Sequence, residues 1–315
     1  MGKGIQSTMT NASAFCPAGI SSFFQAVTTS PPPHFIEAAC RIGARGGGFV
    51  IDKGVTTEVN LTSKKKTGID VTINGKNAPE ANVTREVFKL LLPKIKTPCQ
   101  ISVSHKVEVP IGAGYGASAA GAVSTAMALA KAFDLNMTLN QIGQIAHTAE
   151  IRCATGLGSV SGVVRGGAIL ILEPGAPGYD RVDWLPMNPT HRIVTASFAP
   201  ISKKDIIFSK DALQVVNREG QKVLRQILAN PDPVRFMKLC RGFATKAGFL
   251  SDRLTQVIEK TMAAGALGAT QNMIGDAFHA LVDVKDVDSV VSSVADDFQS
   301  EVLVSQISVG GPIYR

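Results

Sequence analysis

The chain has 315 residues, 45% hydrophobic and 18% charged, and its 32 Lys and Arg against 25 Asp and Glu leave a net charge of +7. That length and apolar content suit one large domain or two sharing a seam, and they exclude an intrinsically disordered protein. The basic residues are scattered, the densest runs being Lys64-Lys65-Lys66 and Lys203-Lys204 with no interleaved aromatics, which excludes a nucleic-acid face and leaves a small anionic ligand compatible.

In chain order, the three prolines of TSPPPHF (29–35) predict a loop, because proline cannot donate to a ladder. Residues 48–60 and 69–74 alternate or run β-branched and read as strands. Residues 85–95 read as a helix up to Pro93, and 98–110 as a strand with Ile101, Val103, His105, Val107 and Val109 on one face. The run VPIGAGYGASAAGAV (109–123) follows and leads into an alanine-rich helix over 118–133. A second helix starts at Thr138, which forms a capping-box pair with Gln141, and Ile142, Ile145, Ala146, Ala149 and Cys153 line its apolar face. Next come a glycine-rich turn at 156–167, a strand at 168–172 and a polar, proline-rich stretch at 173–190. That stretch is the expected boundary between units at 1–185 and 186–315. The second unit reads as a strand at 192–198, helices near 209–229, 233–247, 251–264 and 285–297, and short apolar segments at 301–309. The mixed order predicts an α+β protein with two lobes and no internal repeat.

Cys16, Cys40, Cys99, Cys153 and Cys240 form no C-x-x-C pair, so neither a disulfide framework nor a thiolate metal site is expected, and a reducing cytoplasm fits. The first residues show no secretory signal pattern, and Gln6 stands where a myristoylation motif needs Ser or Thr. No apolar run approaches the ~20 residues of a membrane span.

The glycine run has three readings. Gly112, Gly114 and Ala117 satisfy G-x-G-x-x-[GA], with Asp134 18 residues after Gly116, but a dinucleotide site needs a second strand where the chain enters another helix. No Lys-Ser/Thr follows the glycines, which removes a Walker A loop. What remains is a glycine loop at a helix start, where unpaired N–H groups accept polyphosphate and Ser118 can reach its Mg²⁺. Close packing of a helix on a sheet is the alternative that the run alone leaves open.

PIGAGYGASAA (110–120) resembles the P-x-x-x-G-L-G-S-S-A-A motif of the GHMP kinases, with Tyr115 for Leu, Ala117 for the first Ser and Ser118 as the second. AEIRCATGLGSVSGVVRGG (149–167) resembles the next block of that family, and GALGATQNMIG (265–275) the third. SAFCPAGISSFF (13–24), GARGGGFVIDKGVTTEV (43–59), ATGLGSV and QNMIGDAF are similar to the archaeal pantoate-kinase group within it. The resemblance implies a two-lobed GHMP-kinase fold, ATP and Mg²⁺ as cofactors, and a small hydroxy acid such as pantoate as acceptor. It also implies that Pro110, Gly112, Ala113, Gly114, Tyr115, Gly116, Ala117, Ser118, Ala119 and Ala120 cradle the phosphates, and that Ser118 and Glu150 hold the metal. No nucleic-acid or membrane partner is implied, and a homodimer stays open.

Three positions depart from that pattern: Gly19 replaces a His, Ser159 the Asp proposed as base in several relatives, and Ile171 an Arg. Ser159 and Glu150 are the catalytic candidates here. Ser21, Ser22, Arg45 and His147 are the candidates for substrate contact, Arg45 because a guanidinium pairs bidentately with a carboxylate. His147 also reads as an ordinary half-exposed helix histidine, and Arg165 is the other candidate for the carboxylate, less favoured because turn arginines are usually solvated. A kinase for another small alcohol and a silent nucleotide-binding homologue are the competing functions.

Overall fold

A long antiparallel pair, brought close by glycines of its second strand, organises the chain. In the computed structural model, residues 10–29, 33, 35–64, 67–96, 98–199, 210–298 and 301–315 are described; Pro31, Pro32, Lys65, Lys66, Lys203 and Lys204 lie outside them. Strand β1 (Thr10–Val27) pairs with β2 (Gly43–Ser63) along almost all its length, with register shifts at Pro17/Ala18 and Ser21/Phe23. Pro17 has no N–H to give, so the ladder slips there. The two backbones run so close that a Cβ on Gly48 would lie 1.9 Å from the Ile20 carbonyl oxygen.

The elements that follow are α1 (Ile36–Ala39), β3 (Gly68–Ile73), β4 (Lys76–Asn77), α2 (Asn82–Leu91), β5 (Cys99–Val107), α3 (Ala117–Ala132) and α4 (Leu139–Cys153). Then come α5 (Ser159–Val163), β6 (Ala168–Glu173), β7 (Arg181–Leu185), β8 (His191–Ala199), α6 (Lys210–Ala229), α7 (Pro233–Lys246) and α8 (Asp252–Ala263). The chain closes with β9 (Gly268–Gln271), β10 (Asp276–Asp283), α9 (Val287–Phe298), β11 (Val302–Ser305) and β12 (Ile313–Tyr314). One sheet runs β12–β1–β2–β5–β3–β4 with β6 on β2 and β7 on β6; the other runs β11–β8–β10–β9. The β3–β5 pairing is parallel and the rest are antiparallel.

Helices α2, α3, α4 and α5 share a core with the first sheet, built on Val59, Ile101, Val103, Val123, Leu129 and Ile142. Helix α3 is buried on nearly every side, and its alanines let it lie close on β1 and β2. Under it, His105 bonds Thr57 through Nδ1 at 2.8 Å and Thr84 through Nε2 at 2.9 Å, and burial pushes its pKa down to about 4. Phe23, Phe24 and Phe49 meet Phe236 and Phe243 of α7 at ring separations of 5.5–6.3 Å, and each such ring contributes about 1.5–3 kcal/mol through burial. That cluster continues to Ile193 and Leu281 of the second sheet, so both sheets share one core. Helices α8 and α9 pack on the second sheet through Leu254, Val257, Val290 and Val294.

Strands β1, β9 and β10 are not among the sequence-based elements, and two loop segments also hold structure. The stretch at 173–190 contains strand β7, whose Trp184 donates from Nε1 to the Gly166 carbonyl at 2.9 Å. This indole is 48% exposed and lies where a Cβ on Gly167 would be, at 2.7 Å. The glycine-rich turn at 156–167 contains helix α5, because Gly158 starts a single helical turn that buries Val160 and Val163. No helix among the described residues is long and apolar enough to cross a membrane.

Candidate active site

Three glycines with positive φ shape the loop after β5: Gly112 (81°), Gly114 (83°) and Gly116 (62°). Gly116 starts α3, and a Cβ there would stand 2.7 Å from the Gly19 carbonyl oxygen of β1. The intervening Ala113 and Tyr115 turn inward and are buried, while Ile111, 58% exposed, stands at the mouth beside Pro110 and Gly112. The Tyr115 hydroxyl meets Thr195 Oγ1 at 2.7 Å, and burial pushes its pKa up to about 12. The backbone N–H groups of Ala117, Ser118 and Ala119 have no intrahelical acceptor, so the positive end of a 16-residue helix faces the loop. Ala119 and Ala120 are buried and offer the loop only backbone.

Ser118 Oγ donates to Glu150 Oε1 at 2.5 Å, and Thr155 Oγ1 donates to the same oxygen at 2.6 Å. Glu150 is 2% exposed. The chain reverses just after it: Ala154 takes a left-handed φ of 54°, and Thr155 N donates to the Glu150 carbonyl at 3.0 Å. A Cβ on Gly156 would lie 2.2 Å from Glu150 Oε2 and 3.9 Å from Ser159 Oγ, so the carboxylate, both hydroxyls and Ser159 converge. Thr155 is absent from the sequence-based candidates, since a hydroxyl in a turn carries no spacing signal of its own. Oxygen donors alone, one carboxylate with hydroxyls, fit a hard cation that completes its shell with phosphate and water. Among the described residues no group of three His, Cys, Asp or Glu side chains would make an all-protein metal cage.

The other candidates fall in different places. Ser21 is half-buried and its carbonyl accepts from Met273 N at 2.8 Å. Ser22, the extra residue at the β1 register shift, points instead into the core, its Oγ 2.8 Å from His279 Nε2. His147 is likewise buried rather than half-exposed: its Nε2 donates to the Ile42 carbonyl at 2.9 Å, and burial lowers its pKa. Both side chains bind together elements of the fold.

Arg45 is half-buried, with Nη1 3.5 Å from Gln25 Oε1 and a buried Nε that has no hydrogen-bond partner. Its neighbour Ala44 packs against Gly158, one residue from Ser159. Arg165 is not solvated: it forks onto Asp180 at 2.7 and 2.9 Å, so its charge is spent within the fold. A Cβ on Gly19 would meet Val163 Cγ1 at 3.0 Å, so a side chain there requires Val163 to give way. Ile171 packs with Val50 and Ile169, its Cδ1 3.4 Å from the Cβ position of Gly158.

The family model of the GHMP kinases N terminal domain matches residues 82–167, which span the glycine loop, Ser118, Glu150 and Ser159. The chain is similar to the pantoate kinase of Thermococcus kodakarensis, 30% identical over 286 residues that cover 90% of this chain and 91% of that protein. It is 28% identical to the pantoate kinase of Methanospirillum hungatei over 304 residues, 96% of each chain. Among solved structures it is similar to one described as a phosphotransferase related to the CoA biosynthesis pathway, with a TM-score of 0.87, 28% identity and coverage of 97% of this chain and 98% of that chain.

Proposed function

Because the chain belongs to the GHMP kinase family, we propose that it transfers the γ-phosphoryl group of ATP to the hydroxyl of pantoate, a step towards coenzyme A. The observation that carries this reading is the meeting of Ser118, Glu150 and Thr155 at the open end of α3, in a chain aligned almost end to end with kinases named for pantoate. The loop from Gly112 to Ala120 cradles the phosphates, with the free amides of Ala117, Ser118 and Ala119 facing them while Ala120 N donates to the Gly116 carbonyl, and Ser118 with Glu150 would hold Mg²⁺. When bound, that ion supplies charge neutralisation on the phosphates. On this reading residues 1–185 form the ATP-binding lobe and 186–315 the carboxy-terminal lobe, and the enzyme works in the cytoplasm, where its unpaired cysteines stay reduced.

Ser159 orients the acceptor hydroxyl, and its own hydroxyl, ionising far above neutral pH, is no base. Positioning and charge neutralisation therefore carry the transfer, as phosphoryl chemistry permits. Arg45 is the cation left over for the acceptor carboxylate. Ser159→Asp is expected to retain or raise turnover, within the ~10²–10⁴-fold that a positioned base supplies. A folded but inactive variant would give Ser159 a role that a carboxylate cannot fill.

Ile171, apolar and packed with Val50 and Ile169, favours a second reading in which the acceptor is a different small alcohol. ADP release measured over a panel of hydroxy acids and alcohols separates the two. Turnover with pantoate supports the first, turnover only with another alcohol the second, and nucleotide binding with no turnover at all overturns both.

A further inference from the structure

Ser22, Asn272 and His279 are each 0% exposed, and they join into one chain of hydrogen bonds. His279 Nδ1 lies 2.8 Å from Asn272 Oδ1, and its Nε2 lies 2.8 Å from Ser22 Oγ. A carbonyl oxygen only accepts, so Nδ1 carries the proton and Nε2 accepts from the Ser22 hydroxyl. Burial pushes the His279 pKa down to about 3, and the neutral ring has one donor and one acceptor, matching its two partners. Despite its likeness to a hydrolytic Ser-His-Asn set, the arrangement is closed to solvent and serves no nucleophile. It ties the β1 register shift to the second sheet.

The far end of the chain rests on the glycine loop. A Cβ on Gly114 would touch Asn272 Cβ at 2.9 Å, and one on Gly275 would lie 2.3 Å from the Ala113 carbonyl group. Asn272 also faces the Tyr115 hydroxyl. The turn itself is strained, with Ile274 at a φ of 64°, so a β-branched residue holds a conformation that it rarely adopts. Met273 N fastens it to Ser21 O at 2.8 Å. Such a turn keeps its place only where its surroundings over-determine it.

We propose that His279 is a positioning residue for ATP: through Asn272 it holds the turn at 272–275 against Ala113 and Gly114 and so fixes the width of the phosphate loop. This rests on the reading of that loop as the phosphate cradle. His279 touches neither nucleotide nor acceptor, so its effect belongs to nucleotide affinity and not to the chemical step.

The test is steady-state kinetics and calorimetric titration with a non-hydrolysable ATP analogue plus Mg²⁺, on the full chain. His279→Phe keeps a ring beside Phe49, whose centroid lies 5.9 Å away, and deletes both hydrogen bonds. Asn272→Ala keeps the Cβ against Gly114 and deletes the amide. Each variant is expected to raise KM for ATP about tenfold, with kcat and the acceptor KM within about twofold of wild type. The double variant is expected to match either single one, because both break the same path.

A folded variant with unchanged KM for ATP, or effects that multiply in the double variant, would overturn the relay. If His279→Phe does not fold, Asn272→Ala alone decides by the same criterion. Wild-type protein that fails to bind the analogue would overturn the phosphate-loop reading itself, and this inference with it.

Discussion

Replacing Glu150 by Gln is expected to lower turnover by about 10²–10³-fold, the range seen when one charge-stabilising group is removed from an active site. Gln keeps the shape, so its amide oxygen can still accept from Ser118 and Thr155, and the α4 turn should fold as before. What disappears is the negative charge of a side chain only 2% exposed, and among the described residues no group of three His, Cys, Asp or Glu side chains stands ready to hold the metal in its place. The measurement is turnover as a function of Mg²⁺ concentration: the variant should need at least tenfold more metal and still fall short of the wild-type maximum. Ser118→Ala, which removes a neutral donor from the same oxygen, should cost at least tenfold. Wild-type rates in either variant would show that the metal site lies elsewhere.

Gly116→Val should lower kcat/KM for ATP by at least a hundredfold. Two separate penalties meet at this position. The backbone sits at φ 62°, where a side-chain-bearing residue is strained by about 1–2 kcal/mol, and the new Cβ would lie 2.7 Å from the Gly19 carbonyl. The clash is with backbone, so the start of α3 must move, and with it the free N–H groups proposed to bind the phosphates. Gly248→Val is the matched control: its φ of 72° brings the same strain, but nothing lies within 4 Å of its Cβ position. That variant should lose only the ~1–2 kcal/mol of strain, seen in thermal melting, while keeping its KM for ATP. Equal kinetic losses in both would mean that strain alone, and not displacement of the loop, explains the effect.

Local chemistry made parts of this molecule legible. The capping box at Thr138 is present on both sides, with Gln141 N donating to Thr138 Oγ1 at 3.3 Å and Thr138 N donating to Gln141 Oε1 at 2.8 Å. The glycine loop was readable for the same reason, since its shape follows from a few adjacent residues. Ser118 and Glu150 lie 32 residues apart, and only the family resemblance joined them.

Strand β1 was hidden because Pro17, Gly19 and its small residues break the alternation, and it is a strand by virtue of what it pairs with. Strand β10 lies between β8 and β9 with a nearly continuous apolar run, a pattern that periodicity cannot separate from a buried helix. For His147, spacing placed it on the correct helix but could not say that Ile42, 105 residues away, would claim its ring. Ser22 and His279 are 257 residues apart, beyond any local signal.

Trp184 is the single tryptophan of the chain. Its ring is held by the Gly166 carbonyl at one end of the segment whose other end carries Ser159. The protein therefore contains its own optical reporter: ultraviolet excitation above 295 nm, roughly the limit at which tyrosine still absorbs, addresses this indole alone. On the proposal that an acceptor settles against Ser159, its binding is expected to change the emission of this half-exposed indole, and titration of the unlabelled protein with pantoate checks it.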